Sequence, residues 1–240
     1  MDKIDIHCHI LPRLDDGSDS AKMSLQMLRM SIEQDFITVI ATPHYSAQFR
    51  GASAPVIQAW CRKLENWIHK NWTEEFKIYP GQEILYFQDM VDKLKTGELL
   101  TMAGSNYVLI EFLPDVPYSM VFGAVRELVM EGYWPILAHV ERYGCMRQKG
   151  RTEEITEAGG YLQMNYRRIG GKWHDETTRW CRAMLKEEKI HFLGTDMHNT
   201  EERRPETREA EKWMNKHLSK RYLKNILYNN ARDILTNTRI

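Results

Sequence analysis

Cysteine is scarce in this 240-residue chain. The four residues Cys8, Cys61, Cys145 and Cys181 form no C-x-x-C pair, which excludes zinc-finger and thioredoxin-type motifs. In a reducing compartment such thiols stay unpaired. Charge of neither sign is in surplus: 33 basic and 33 acidic residues give a formal net charge of zero. The basic excess expected of a duplex-binding protein is lacking, so no nucleic-acid partner is expected. No apolar run approaches the roughly 20 residues that span a bilayer. The N-terminus enters a charged strand directly, without a signal peptide's apolar segment, and the expected location is cytoplasmic. Internal repeats, low-complexity tracts and dividing linkers are also missing, so residues 1–240 read as one domain. Hydrophobic content of 42% and charged content of 28% are ordinary for a globular chain, and the length suits one large α/β domain.

The chain is organised around its first strand, Lys3-Ile4-Asp5-Ile6-His7-Cys8-His9. Ile4 and Ile6 alternate with polar residues, which is strand periodicity. His7 and His9, two apart, then point to one side. Two surface histidines would read the same way, but later strands end alike: Thr42-Pro43-His44, Gly81-Gln82-Glu83, Ile110-Glu111, Ala138-His139 and Gly194-Thr195-Asp196-Met197-His198. Where a strand stops, the chain repeatedly delivers a His, Glu or Asp.

Between these strands the periodicity predicts helices. Residues 21–34, capped by Asp19 or Ser20, turn Ala21, Leu25, Leu28 and Ile32 inward. Residues 56–70 carry Ile57, Trp60, Leu64 and Trp67 on one stripe, read as core. Further helices follow Ser119 up to residue 131, then span 175–187, 206–217 and 222–235. Strands are expected at 37–41, 76–83 with a break at Pro80-Gly81 that re-aims Glu83, 106–112, 134–138, 161–165 and 190–195. About seven alternations with short connections argue for parallel βαβ units, in a barrel or an open sheet. Ligands gathered at strand C-termini favour the barrel, whose strand ends share one mouth.

The candidate ligands are His7, His9, Asp16, His44, Glu83, Glu111, His139, Asp196 and His198. Nine nitrogen and oxygen donors exceed the needs of one ion and suggest two or three. Imidazole and carboxylate without thiolate suit manganese, iron or zinc. Adjacent divalent ions sharing a hydroxide suit displacement at phosphorus, so the residues point to a metal-dependent hydrolase of phosphate esters. His69, His174, His191 and His217 fall outside the pattern and read as structural or surface residues. Cys145 to Arg151 matches C-x5-R, the signature of cysteine-dependent tyrosine phosphatases. Yet three bulky residues follow Cys145 and no core strand feeds it, so the phosphate-wrapping loop that chemistry needs is missing.

His7-Cys8-His9, Asp15-Asp16-Gly17, Thr42-Pro43-His44, Gly81-Gln82-Glu83, Ala138-His139-Val140-Glu141-Arg142 and Thr195-Asp196-Met197-His198-Asn199 resemble, in order and over essentially the whole chain, the PHP (polymerase and histidinol phosphatase) family. Within it they are most similar to bacterial protein-tyrosine phosphatases of capsule and exopolysaccharide clusters. Carboxylates at Asp16 and Glu111, where many relatives have histidine, favour that branch over the histidinol phosphatases.

The resemblance implies a distorted (β/α)7 TIM-like barrel with three divalent ions, commonly manganese, with iron or zinc as alternatives. His7, His9, Glu83 and Asp196 would hold the first ion. Glu83 would bridge to a second, completed by Glu111 and His139, and Asp16, His44 and His198 would hold the third. It also implies phosphate-binding roles for Arg142 and Arg203, the latter with Arg204 as a neighbour able to substitute. The expected reaction is one-step hydrolysis by metal-activated hydroxide. The implied substrate is the phosphotyrosine-bearing tail of a bacterial tyrosine autokinase. Rims for that tail are expected in residues 46–55, with Phe49 and Arg50, and in residues 113–118. The alternatives are a small-molecule phosphatase, such as one for histidinol phosphate, and a PHP-type exonuclease.

Overall fold

The computed structural model describes residues 2–48 and 51–240. Its strands are β1 (Lys3–Cys8), β2 (Phe36–Ala41), β3 (His44–Tyr45), β4 (Lys77–Pro80), β5 (Glu83–Leu85), β6 (Tyr107–Glu111), β7 (Trp134–Leu137), β8 (Tyr161–Asn165) and β9 (Phe192–Gly194). All pairings between them are parallel. β1-β2-β4 form one run and β3-β5-β6-β7-β8-β9 the other. β3 follows β2 after Thr42-Pro43, and β5 follows β4 after Gly81-Gln82. Each couple is therefore one interrupted strand, and the sheet has seven staves. Proline supplies no backbone N–H to the ladder, so Pro43 and Pro80 suit these breaks. The sheet closes where His9 N–H donates to the Met197 carbonyl at 2.9 Å and Asp196 N–H to the His7 carbonyl at 2.8 Å. The result is the distorted (β/α)7 barrel of the PHP type. Its distortion lies at β4, whose lower end is separated from β6 by the turn Met102–Gly104.

Helices cover the outside: α1 (Ala21–Ile32), α2 (Ala54–Asn71), α3 (Met90–Lys95), α4 (Tyr118–Met130), α5 (Arg151–Glu157), α6 (Tyr166–Ile169), α7 (Glu176–Lys186), α8 (Arg208–His217), α9 (Lys220–Lys224) and α10 (Asn230–Leu235). Ser20 and Asp175 cap α1 and α7 through Met23 N–H and Thr178 N–H. Ile4, Ile6, Ile40, Leu109, Ile136 and Phe192 come from five staves and meet in one cluster, which is the filled lumen expected of such a barrel. Ala231 and Ile234 of α10 join that cluster. The Tyr107 and Tyr161 hydroxyls donate to the carbonyls of Thr238 and Ile240, so the C-terminal segment seals the bottom and leaves the opposite mouth for the site.

Several expectations move. The buried face of α1 is Ser24, Met27, Leu28 and Ser31, with Ala21, Leu25 and Ile32 only half-buried at its edges. Small hydroxyls permit the close approach: Ser24 shares a hydrogen bond with Ser18 at 2.9 Å, and Ser31 donates to the Met27 carbonyl. On α2 the core stripe is Ile57, Cys61, Leu64 and Ile68. Trp67 instead stands 41% exposed, edge-on to Trp72. α4 begins at Tyr118 behind Pro117, with no side-chain cap from Ser119. The last predicted helix is α9 and α10 joined by a π turn, Asn225–Asn229.

Candidate metal centre

Strict alternation would not bring all the candidate ligands inward. In β1, Ile4 and Ile6 belong to the lumen and Cys8 to the outer core. The change of side coincides with a register shift between Asp5 and Cys8 against β2, which leaves His7 and His9 over the lumen. In β7, Ala138 lies in the lumen cluster, so His139 should point out. Instead His139 adopts a left-handed backbone, φ 32°, and its ring stands 5.5 Å from that of His7. Asp196 is also left-handed, φ 51°. Both conformations are unfavourable for non-glycine residues and persist where the surroundings impose them, often at functional sites. β6 keeps its alternation, Tyr107 and Leu109 inward and Glu111 next. Glu83 opens β5 opposite Leu109. Glycine clears the floor: a Cβ on Gly194 would lie 2.7 Å from that of His7.

All nine predicted ligands converge. His7, His9 and Asp196 form one donor group and His7, Glu83 and His139 a second. His44, Glu83 and Glu111 make a third, and His9, Asp16, His44 and His198 a fourth. His7, His9 and His44 thus reach further than the sequence assignment gave them. Glu83 Oε2 is the centre: it lies 3.0 Å from His7 Nε2, 3.2 Å from His9 Nε2 and 3.1 Å from His44 Nδ1. Asp196 Oδ1 is 3.7 and 3.6 Å from the same nitrogens of His7 and His9. His139 Nε2 approaches Glu83 Oε1 at 2.8 Å and Glu111 Oε1 at 3.5 Å. Asp16 Oδ1 stands 3.4 Å from His44 Nε2 and 3.5 Å from His198 Nε2.

The donor set fits divalent ions. Glu83 Oε2 and His198 Nε2 are buried without a hydrogen-bond partner, an arrangement that costs roughly 1–3 kcal/mol per atom unless something else is bound there. Three imidazole nitrogens around one carboxylate oxygen, at contact distance but outside hydrogen-bond geometry, aim lone pairs at shared points, as ligands do. Burial would push the Glu83 carboxyl up, but the imidazoles of His7, His139 and His9 hold it well below its usual range. Burial lowers His139 while Glu111 and Glu83 raise it, for a net rise to about 9.

A supporting layer escaped the sequence reading. Asp15 Oδ2 accepts from His9 Nδ1 at 2.7 Å and from His44 N–H at 3.0 Å, and its Oδ1 accepts from Gly17 N–H at 2.9 Å. Gln163 Oε1 accepts from His139 N–H at 2.7 Å and faces His7 Nδ1 at 3.1 Å. Asn165 Nδ2 donates to Asp196 Oδ2 at 2.9 Å. Buried Asp5 accepts from His7 N–H, Thr195 N–H and the Thr195 hydroxyl. Such partners orient ligands and fix which ring nitrogen faces the ion. The signal that marks Gln163 and Asn165 is polar residues alternating inward on an otherwise buried strand.

Arg142 donates to Asp196 Oδ2, and Arg203 to Asp196 Oδ1 at 2.9 Å. Arg203 also stands 3.7 Å from Asp16 Oδ2, whereas Arg204 pairs with Glu206. Beside the cup a cleft of about 380 Å3 is lined by Leu14, Tyr45 and Leu85 next to Asp16, His44 and Glu111. Of the expected rims, Ser46 and Gly51 line it, Phe49 and Arg50 lie outside the described residues, and no residue of 113–118 takes part. Tyr118 instead donates to Glu154 and packs against Arg151. Cys145 sits in a turn, Gly144–Arg147, and burial pushes its thiol up, the opposite of an activated thiolate. Of the histidines outside the pattern, His69 contacts the Phe76 carbonyl, His217 the Trp213 carbonyl, and His191 accepts from Leu162 N–H.

Fold and site together define a PHP-type α/β barrel with a candidate polynuclear metal centre at its carboxyl mouth. The chain belongs to the family described as capsular polysaccharide synthesis, CpsB/CapC, whose profile matches residues 3–236. It is 30% identical over 240 residues, 98% of each chain, to the protein named tyrosine-protein phosphatase CpsB of Streptococcus agalactiae serotype V. It is 30% identical over 212 residues to tyrosine-protein phosphatase YwqE of Bacillus subtilis, covering 86% of this chain and 82% of that one. Its fold matches, with a TM-score of 0.90 and 29% identity over 99% of this chain and 96% of the other, a crystal structure from work on Bacillus subtilis YwqE and Streptococcus pneumoniae CpsB. That work describes the two as unique metal-dependent tyrosine phosphatases.

Proposed function

We propose that this chain is a metal-dependent protein-tyrosine phosphatase. The observation that carries the reading is the gathering of nine nitrogen- and oxygen-bearing side chains into overlapping donor groups at one mouth, in a family whose named members are tyrosine phosphatases. His7, His9, Glu83 and Asp196 would hold one ion. Glu83, Glu111 and His139 would hold a second, and Asp16, His44 and His198 a third, with manganese suited to this hard, mixed donor set. Bound divalent ions would supply a water of lowered pKa, toward about 7, and neutralise phosphoryl oxygens.

The chain's own residues do the rest. Arg142 and Arg203, both turned onto Asp196, offer guanidinium forks to the phosphoryl oxygens as charge builds there. Leu14, Tyr45 and Leu85 provide an apolar wall for a phenyl ring. Tyrosine's pKa near 10 makes its phenolate a better leaving group than an alkoxide, so the demand on a general acid is modest. No nucleophilic side chain is needed, and hydrolysis proceeds in one displacement. The capsule family supports a substrate on the tyrosine-rich tail of a bacterial autokinase that controls polysaccharide synthesis. A cytoplasmic location agrees with four free cysteines.

The test is a panel assayed with added manganese: phosphotyrosine peptide, phosphoserine peptide, histidinol phosphate and single-stranded DNA. Phosphotyrosine peptide should turn over fastest, and single turnover in 18O-water should label the released phosphate. Histidinol phosphate turned over far faster than the peptide would replace this reading with a small-molecule phosphatase. A trapped phospho-enzyme would remove the one-step scheme.

A further inference from the structure

Among the described residues, β8 is the one stave whose end brings no ionisable candidate ligand to the cup. It ends in Asn165, which donates to Asp196, and the next turn, α6, carries Arg167 and Arg168. These two arginines, with Arg142, Arg203 and Arg204, line a cavity of about 210 Å3 whose one carboxylate is Asp196. Arg142 and Arg203 already pair with Asp196, and Arg204 with Glu206. Arg167 and Arg168 are exposed and make no ion pair among the described residues. Arg168 acts on the capping carboxylate of Asp175 only through space.

Guanidinium groups do not deprotonate in proteins, so five of them around one cavity favour an anion there. Arg167 and Arg168 also line a wider cleft, where they and Lys172 meet the carboxylates of Asp175 and Glu176. The larger cationic surplus is therefore in the small cavity, where five arginines meet Asp196 alone. The small cavity shares Arg142, Arg203 and Asp196 with the candidate centre, so an anion in it sits beside the scissile phosphate. In an extended peptide, which advances about 3.3 Å per residue, such a neighbour is a side chain one or two positions away.

We infer that Arg167, Arg168 and Arg204 form a second anion subsite, which takes a phosphoryl or carboxylate group one or two residues from the phosphotyrosine under attack. The inference rests on the phosphatase reading above and adds its substrate class: peptides whose target residue is flanked by further negative charge. A phosphoryl group, with up to two charges and three acceptor oxygens, suits guanidinium forks better than a carboxylate.

The experiment compares phosphotyrosine peptides carrying Ala, Glu or a second phosphotyrosine two positions away, together with p-nitrophenyl phosphate. Each is assayed on the wild-type chain, on the double variant Arg167→Ala/Arg168→Ala and on Arg204→Ala. In the wild type, KM should fall about tenfold from the Ala peptide to the doubly phosphorylated one, the size of one charge-assisted contact, with Glu between. The double variant should level the three peptides while keeping wild-type kcat and KM on p-nitrophenyl phosphate. Level KM values in the wild type, or a preference that survives in the variants, overturn the subsite. Failure of every peptide to turn over defeats the phosphatase reading instead. The same peptides, fluorescein-labelled, are then titrated by anisotropy with manganese present. A Kd ranking that Arg204→Ala weakens supports the subsite, and a flat ranking overturns it.

Discussion

Replacing Asp15 by Asn perturbs the layer that orients the candidate ligands while leaving every one of them in place. The Asp15 carboxylate receives three donors: His9 Nδ1 and His44 N–H on Oδ2, and Gly17 N–H on Oδ1. Burial pushes its carboxyl up, but the His9 hydrogen bond and charge, with the Gly17 and His44 amides, hold it below its usual value. An amide of the same shape has one acceptor and one donor end. Whichever way that amide turned, its NH2 would face an N–H, leaving at least one donor without a partner. That costs about 1–3 kcal/mol in a metal-free protein. The ion senses a second loss. The carboxylate keeps the His9 proton on Nδ1 and its Nε2 lone pair toward Glu83 and Asp196, and changes in such partners weaken metal affinity by roughly 10–100-fold, or about 1.4–2.7 kcal/mol. Manganese titration by calorimetry, beside urea denaturation of the chelator-treated protein, reads the two losses separately. Affinity within about twofold of wild type, in a variant that folds, would refute the orienting role of Asp15.

Cys145→Ser should keep most phosphatase activity, whereas His139→Ala or chelation should abolish it. An inactive, folded Cys145→Ser protein would restore the cysteine mechanism. In chelator-treated protein, His139 has its proton held up to about 9 against an ordinary 6.5. Its contribution to stability is then fully present below pH 6.5 and lost as pH rises through about 9. Urea midpoints at about pH 6 and about pH 9.5 should show this loss, and His139→Gln should flatten it. Because that proton must leave before a ligand nitrogen binds, manganese titration near about pH 7.5 should release protons into buffer, seen as a heat that changes with buffer ionisation enthalpy. A heat independent of buffer would contradict the protonated state of the metal-free cup.

The candidate ligands were legible because each is ionisable and sits where an apolar strand pattern stops. The barrel was legible because strand and helix alternate with short connections. Hidden from periodicity were the places where the backbone leaves its alternation. His139 reaches the mouth through a left-handed residue and His7 through a register shift in β1, neither of which a two-residue period announces. Gln163 and Asn165 were passed over because they do not ionise, although inward polar side chains on a buried strand need partners. Asp15 lay inside the quoted Asp15-Asp16-Gly17 motif, yet spacing alone does not separate a ligand from the carboxylate that steadies one. The α1 face differs for a related reason: serines that bond to nearby oxygens can be buried, so Ser24 and Ser31 lie deepest beside Met27 and Leu28, while Leu25 and Ile32 pack against the core from its edges. Trp67 shows the converse, a large ring whose place on a helical stripe did not ensure its burial.

The central claim is that side chains gathered at the barrel mouth hold divalent cations around Glu83. Anomalous diffraction at the manganese edge, from crystals of protein active on phosphotyrosine peptide, tests it directly. Peaks should lie within about 2.0–2.6 Å of His7, His9, Glu83 and Asp196, with further peaks toward Glu111 and His139 and toward Asp16, His44 and His198. An active enzyme whose mouth holds no anomalous scatterer, or whose ions lie elsewhere, would contradict it.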